Sequence, residues 1–144
     1  MTHFIQTKIK HLKTLENGKQ KTITETYIFR AESFTEAEAR AVQYANDFAF
    51  TEFAVTALTN CRCTEIVRQT NFEQSVPLWF RAKLDYITLD ERTARERHTK
   101  LNVLVEASCF EHANDIVAKY IADSVADIRL LSLTQTNIID VITE

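Results

Sequence analysis

Residues 27–47, which read YIFRAESFTEAEARAVQYAND, have a counterpart 76 positions later in residues 103–123, which read VLVEASCFEHANDIVAKYIAD. Each stretch begins with apolar residues at alternate positions, a pattern that predicts a strand with one buried face. Each continues with Ser-x-x-Glu, the signature of a helix N-terminus, and with an apolar stripe at helical spacing. Both stretches therefore predict a strand that leads directly into a helix lying on the sheet.

The correspondence between these two stretches extends over most of the chain. Identical pairs at an offset of 76 are Ala31 and Ala107, Phe34 and Phe110, Ala37 and Ala113, Tyr44 and Tyr120, and Asp47 and Asp123. At an offset of 75, Lys8 matches Lys83 and Leu58-Thr59 matches Leu133-Thr134. We interpret this pattern as a tandem duplication in one domain, with units 1–68 and 78–144 joined by a linker at 69–77.

The order of elements is the same in both predicted units. An extended segment is followed by a turn, which Asn17-Gly18 marks strongly in the first unit, and by a returning strand, a helix, a strand and a short strand. The predicted fold class is α+β, with antiparallel sheets that are each covered by one helix. The other face of each sheet would be solvated, packed on the sister unit, or buried in an oligomer.

Composition excludes several classes of protein. With Gly18 as the only glycine, the chain cannot form a dinucleotide-binding loop, a Walker loop or a nucleophile elbow. A net charge of −3 and 45% hydrophobic residues are typical of a globular protein, and no apolar run is long enough to span a membrane. The odd number of cysteines lacks zinc-ligand spacing, and the first residues do not resemble a signal peptide, so we expect a reduced cytoplasmic protein.

Several motifs resemble those of a family of proteins of about 150 residues that is classed as a domain of unknown function. The motifs are the Asn17–Lys21 turn, the stretch Ala31–Arg40, Trp79-Phe80 with Lys83, Ile87–Asp90 and Val105–Ser108. The resemblance implies an origin in gut anaerobes, their mobile elements or their phages, and a phage-encoded copy would work in the host cytoplasm. It implies no activity and no catalytic residues.

The outward-facing residues of the two hairpins are the candidate binding site. Strand alternation places Trp79, Arg81, Lys83 and Asp85 outward on one strand, and it places His98, Lys100 and Asn102 outward on the returning strand. The same alternation turns Lys8 and Lys10 outward in the first unit. At the offset of 76 residues, which aligns the two helices, His3 takes the place of Trp79. An aromatic ring beside two cations is suited to stacking a base and neutralising a phosphate. The alternative is a solvated face whose basic residues discourage edge-to-edge association.

We expect a non-enzyme without cofactor or metal, because none of the four histidines has an evident orienting partner for general-base catalysis. The preferred hypothesis is a binder of a small anionic ligand, such as a nucleotide signal that a phage or mobile element would sequester. A second hypothesis is a structural or protein-interaction module that forms a homo-oligomer, with Trp79 as a possible anchor. A third, a nucleic-acid accessory protein, is disfavoured by the negative net charge.

Overall fold

The computed structural model describes residues 3–68 and 77–143, and it has the predicted α+β class. The elements are β1 (His3–Thr14), β2 (Gln20–Ala31), α1 (Phe34–Asp47), β3 (Thr51–Asn60), β4 (Glu65–Val67), β5 (Leu78–Asp90), β6 (Arg95–Ala107), α2 (Phe110–Ala122), β7 (Asp127–Gln135) and β8 (Ile138–Ile142). The predicted linker, except for Pro77, lies outside the described residues. Neither helix combines the length and apolar character needed to cross a membrane.

The strands form two four-stranded sheets, in the orders β3-β1-β2-β8 and β4-β6-β5-β7. Each sheet has a long antiparallel hairpin at its centre, an antiparallel strand on one edge and a short strand on the other. The short strand is parallel to its neighbour in both cases, so the sheets are not purely antiparallel as predicted.

The short strands are exchanged relative to the predicted units. The prediction assigned β4 to 1–68 and β8 to 78–144, whereas β4 pairs with β6 and β8 pairs with β2. One compact unit, the first unit, thus contains β1, β2, α1, β3 and β8, and the second unit contains the other elements. Because the two short segments are alike in sequence, pattern alone cannot tell which sheet each of them completes.

The first unit buries the helix-facing side of its hairpin. Ile9 and Phe29 are almost fully buried beneath the small side chains of Ala37, Ala41 and Ala45, which let α1 lie close to the sheet. The predicted cap of α1 is present, since Ser33 Oγ accepts a hydrogen bond of 3.1 Å from the Glu36 amide. The Glu36 carboxylate reaches back to the amide of Glu32, one residue before the position that a capping box uses.

The second unit has the same arrangement with a different cap. Leu84, Val103 and Val105 form its core with Val117 of α2. The predicted cap at Ser108 is wrong by one residue, because Cys109 is the N-cap and its Sγ accepts a hydrogen bond of 3.4 Å from the His112 amide. The amide of Ser108 donates instead to His112 Nδ1, at 3.0 Å.

Candidate functional site

The side of the second unit's sheet that faces away from α2, here called the outer face, carries the predicted site residues. Directly paired residues of an antiparallel ladder share a face, and Lys83 pairs with Asn102 while Arg81 pairs with Leu104. Lys100 pairs with Asp85, which belongs to the same face. Arg81, Lys83, Lys100 and Asn102 therefore lie together on one surface, in the relation that strand alternation predicted.

Lys83 is at the centre of a polar row that crosses three strands. On β7 its partner is Ser132, and on β6 its partner is Asn102. The Lys83 side chain is exposed, and none of the ion pairs between described residues includes it. The row Ser132–Lys83–Asn102 therefore presents one cation between a hydroxyl and an amide, which both can donate hydrogen bonds to an anion. Ser132 was not predicted, because its place depends on the β5–β7 register.

Asp85, His98 and Lys100 form an ionic cluster in the next row. Asp85 Oδ2 lies 2.7 Å from His98 Nδ1, and Asp85 Oδ1 lies 3.7 Å from the Lys100 Nζ. The hydrogen bond from His98, reinforced by the charge of Lys100, lowers the pKa of the Asp85 carboxyl, although partial burial opposes the effect. On β7, Arg129 pairs with Asp85 in the ladder and is exposed. Sequence analysis placed Asp85 and His98 on this face but did not connect them.

Trp79 does not provide the exposed aromatic platform that the sequence suggested. Its side chain is only 1% exposed, and the guanidinium of Arg68 lies 5.4 Å from the centre of its ring. Arg68 also approaches the carboxylate of Glu106, at 3.9 Å. Strand alternation places Trp79 on the outer face, as predicted, but alternation gives no information on which other residues cover a side chain. Stacking of a base on Trp79 would require Arg68 to move.

The first unit has a poorer version of the same row. Lys8 is exposed, but its partners across the strands are Ala57 and the buried Thr26. Lys10 pairs with Ala54 and Thr24. Lys8 and Lys10 therefore lie on the predicted outward face, but the direct ladder partner of each on β3 is an alanine, and the hydroxyl of the nearby Thr56 donates to the carbonyl of Lys8.

The ladder also corrects the alignment of Trp79 with His3. His3 pairs with Ala31 at the end of its hairpin, as Leu78 pairs with Ala107 in the second unit. The structural equivalent of Trp79 is therefore Phe4, one residue later than the helix offset implied.

The first unit instead has a polar cluster on the side that α1 covers. His11 contacts the carboxylate of Glu25, and its ring stacks on Phe50 with centroids 3.9 Å apart. The hydroxyl of Tyr27 donates to the same carboxylate at 3.3 Å, and burial raises the pKa of Tyr27 well above its usual range. This cluster was missed because Glu25 and His11 are adjacent only through the hairpin register.

Two of the cavities lie along the helices rather than on the outer face. The larger, of about 430 Å³, lies along α2 next to Val67 of β4, and the smaller, of about 140 Å³, lies along α1 next to Ile142 of β8. The lining of the larger cavity includes Asp115 and Asp123 beside Lys119. Two carboxylates next to one ammonium group repel an anion, so this cavity does not fit the predicted ligand.

The fold and the outer face together define an α+β protein of two helix-covered sheets, one of which presents in a polar row a lysine that has no ion-pair partner among the described residues. Within residues 3–68 and 77–143, no group of three or more His, Cys, Asp or Glu side chains could hold a metal ion. The chain matches the family described as Domain of unknown function (DUF4494) over residues 3–144, and it belongs to that family, as its motifs predicted. No curated protein and no solved structure matches the chain.

Proposed function

We propose that this protein is a non-catalytic, cytoplasmic binder of a small phosphate-bearing ligand, held on the outer face of the second unit. The observation that carries the proposal is the row Ser132–Lys83–Asn102, in which a lysine without an ion-pair partner among the described residues lies between two hydrogen-bonding side chains. A cation and adjacent neutral donors are the groups that hold an oxyanion in proteins. A nucleotide signal sequestered by a phage or mobile element is one ligand of this class.

The neighbouring charges favour a compact anion over a long polyanion. Arg81 lies on one side of the row and Lys100 with Arg129 on the other, so that several cations surround Lys83. Carboxylates lie next to these cations on the same face, since Asp85 pairs with Lys100 and Glu106 lies beyond Leu104 on β6. A nucleic acid that tracked along this face would pass over the carboxylate of Asp85 and would meet a buried end at Leu104 and Glu106, whereas a single phosphate group at Lys83 would meet neither.

We also infer that the two units arose by tandem duplication. The sheets have the same strand order, and identical residues such as Phe34 and Phe110 occupy the first position of each helix. In this interpretation the second unit acquired Ser132 where the first has Ala57, and Asn102 where the first has Thr26. The binding row would then be a later specialisation of one copy.

The test is a thermal melt with a panel of inorganic phosphate, nucleotides and cyclic nucleotides, followed by titration of any anion that raises the melting temperature. A ligand at about 100 times its Kd stabilises the folded state by about 2.7 kcal/mol. Lys83→Gln should weaken binding by roughly tenfold or more, because a charge-assisted contact is lost.

Lys8→Gln is the matched control for this substitution. It removes an exposed lysine at the equivalent position of the first unit and should leave the affinity unchanged. Equal losses in the two variants would contradict the assignment to the second unit. DNA binding that weakens steeply with salt, without any effect of small anions, would favour the nucleic-acid accessory function instead.

A second candidate function, self-association, is favoured by exposed apolar residues at one edge of the second unit. β7 is the last strand of its sheet, and Leu131 on it is 51% exposed, while the nearby Val125 is fully exposed. Edge strands with exposed apolar side chains commonly pair with another chain. Trp79 is too deeply buried to be the anchor that the sequence suggested. Sedimentation of the wild type should show a fixed oligomer that Leu131→Lys dissociates, and a monomer at high concentration would exclude this candidate.

A further inference from the structure

We propose that His98 is a pH-sensitive element of the outer face, and that its protonation strengthens anion binding at Lys83. This inference rests on the proposed function, because it concerns the regulation of the same site. It is drawn from the position of one histidine between two carboxylates and from its competition with Lys100 for one of them.

Both ring nitrogens of His98 have an acidic neighbour. Nδ1 lies 2.7 Å from Asp85 Oδ2, and Nε2 lies 3.6 Å from Glu96 Oε2. A neutral imidazole has one N–H group and can donate to only one of these carboxylates, whereas the protonated ring can donate to both. The surroundings therefore favour the charged ring, with Asp85 at hydrogen-bond distance and Glu96 at ion-pair distance.

Asp85 is shared between His98 and Lys100. Its two oxygens face the two cationic groups separately, Oδ2 towards His98 and Oδ1 towards Lys100 at 3.7 Å. When His98 is neutral, Lys100 is the one full positive charge within ion-pair distance of this carboxylate among the residues that the structure describes. When His98 is protonated, it neutralises Asp85, and the charge of Lys100 is no longer balanced. Lys100 lies two residues from Asn102 on the same face, about 7 Å along the strand.

Two further charged groups of the outer face lie on β7, beyond β5. On β7, Arg129 pairs with Asp85, and Asp127 pairs with Ile87, the cross-strand neighbour of His98. The hydrogen bond from His98 and the charge of Lys100 lower the pKa of the Asp85 carboxyl, so that Asp85 remains ionised near neutrality. A histidine is the side chain that changes charge between about pH 8 and pH 5. Acidification thus adds one positive charge beside the Lys83 row.

The experiment measures sulfate binding to the full chain at about pH 5.5 and pH 8, on either side of the ordinary histidine titration. Sulfate is a suitable probe because it stays doubly charged at both values, unlike phosphate. The wild type should bind sulfate about three to ten times more tightly at the lower pH, as expected for one added charge at this separation in a partly solvated site. His98→Gln should bind with an affinity that no longer depends on pH.

His112→Gln is the control for the general rise in net charge on acidification. His112 lies on α2 beside the larger cavity, away from the outer face, and its substitution should leave the pH dependence intact. Asp85→Asn should bind sulfate at pH 8 as tightly as the wild type does at the lower pH, because it releases Lys100 by another route. Circular dichroism would verify that each variant is folded.

The outcomes separate this inference from the function on which it rests. If neither sulfate nor any anion of the panel binds at either pH, the proposed function is wrong. If sulfate binds equally well at both values, or if His98→Gln keeps the pH dependence, binding at Lys83 can stand but the role of His98 is overturned.

Discussion

The two units share one strand order but keep their polar groups on opposite sides of the sheet. In the first unit, Glu25 pairs with Ile9 beneath α1 and holds His11 there, whereas the equivalent pair in the second unit is the apolar Leu84 and Leu101. On the outer face the contrast is reversed, since the second unit carries the richer set of charged and hydrogen-bonding side chains. The comparison teaches that this backbone tolerates polar side chains on either side, so that a binding site can be gained without a change of fold.

The largest effect should come from the apolar positions that the two units have in common. Ile9 and Leu84 are equivalent and fully buried, so Ile9→Ala and Leu84→Ala should each lower the free energy of unfolding by about 3 kcal/mol. Urea unfolding followed by circular dichroism measures both. If only one variant lost well below 1 kcal/mol of unfolding free energy, the two positions would not be equivalent, because the two cores would not be equally well packed.

The next effect concerns the contact between each helix and its short strand. Tyr120 of α2 donates a hydrogen bond of 2.6 Å to Glu65 of β4, while Tyr44, at the equivalent position of α1, interacts with Tyr27 instead. Tyr120→Phe should lower the free energy of unfolding by about 1.5 kcal/mol at neutral pH, since the hydroxyl bonds to a charged group. Glu65→Gln keeps an acceptor oxygen at this place and should have a smaller effect.

The same contact predicts a dependence on alkaline pH. The hydrogen bond to Glu65, with burial, raises the pKa of Tyr120 to about 12 from its ordinary value near 10. Its contribution is complete below pH 10 and is lost as pH rises from about 10 to about 12, because the unfolded chain ionises first. The difference in stability between wild type and Tyr120→Phe should therefore shrink over this window, and a constant difference would contradict the contact.

The smallest effects are expected at the two hairpin turns. Gly18 has φ 81° and Ala94 has φ 57°, so both turns use the left-handed region, but only the first has the residue that favours it. Gly18→Ala should cost about 1 kcal/mol from backbone strain alone, because an added Cβ would meet no atom within 4 Å. Ala94→Gly should be neutral or stabilising by roughly 0.5 kcal/mol. Thermal melts should show a lower melting temperature for Gly18→Ala and an unchanged or higher one for Ala94→Gly. A lower melting temperature for both variants would contradict this account of the two turns.

Much of the fold could be predicted because it depends on local pattern. The Asn17-Gly18 turn, the alternation in β2 and β6 and the alanine stripe of α1 are each decided by neighbouring residues. The partners of β4 and β8 could not be predicted, because the two short strands are similar in sequence. Long-range pairing of such short segments depends on chain path rather than on composition.

The candidate site could also be predicted only where it depends on local pattern. A period of two is enough to turn Lys83 and Asn102 to one face, but Ser132 joins them only through the β5–β7 ladder, which shifts register after Lys83. Trp79 was misjudged because exposure depends on tertiary packing, here including Arg68, and not on strand parity. Strand alternation places His98 and Asp85 on the same face of the sheet, but their ion pair depends on side-chain conformation.

The pairing of β8 with the first unit decides which unit a mutation in β8 would destabilise. The sheet that begins at His3 is completed by residues 138–142, which follow the whole of the second unit along the chain. A premature stop codon just after Gln135 would leave every strand of the second unit translated, but the sheet of the first unit would lack its edge strand β8. Mutations in the codons for residues 138–142 should therefore destabilise the first unit, whose other strands are synthesised before those of the second.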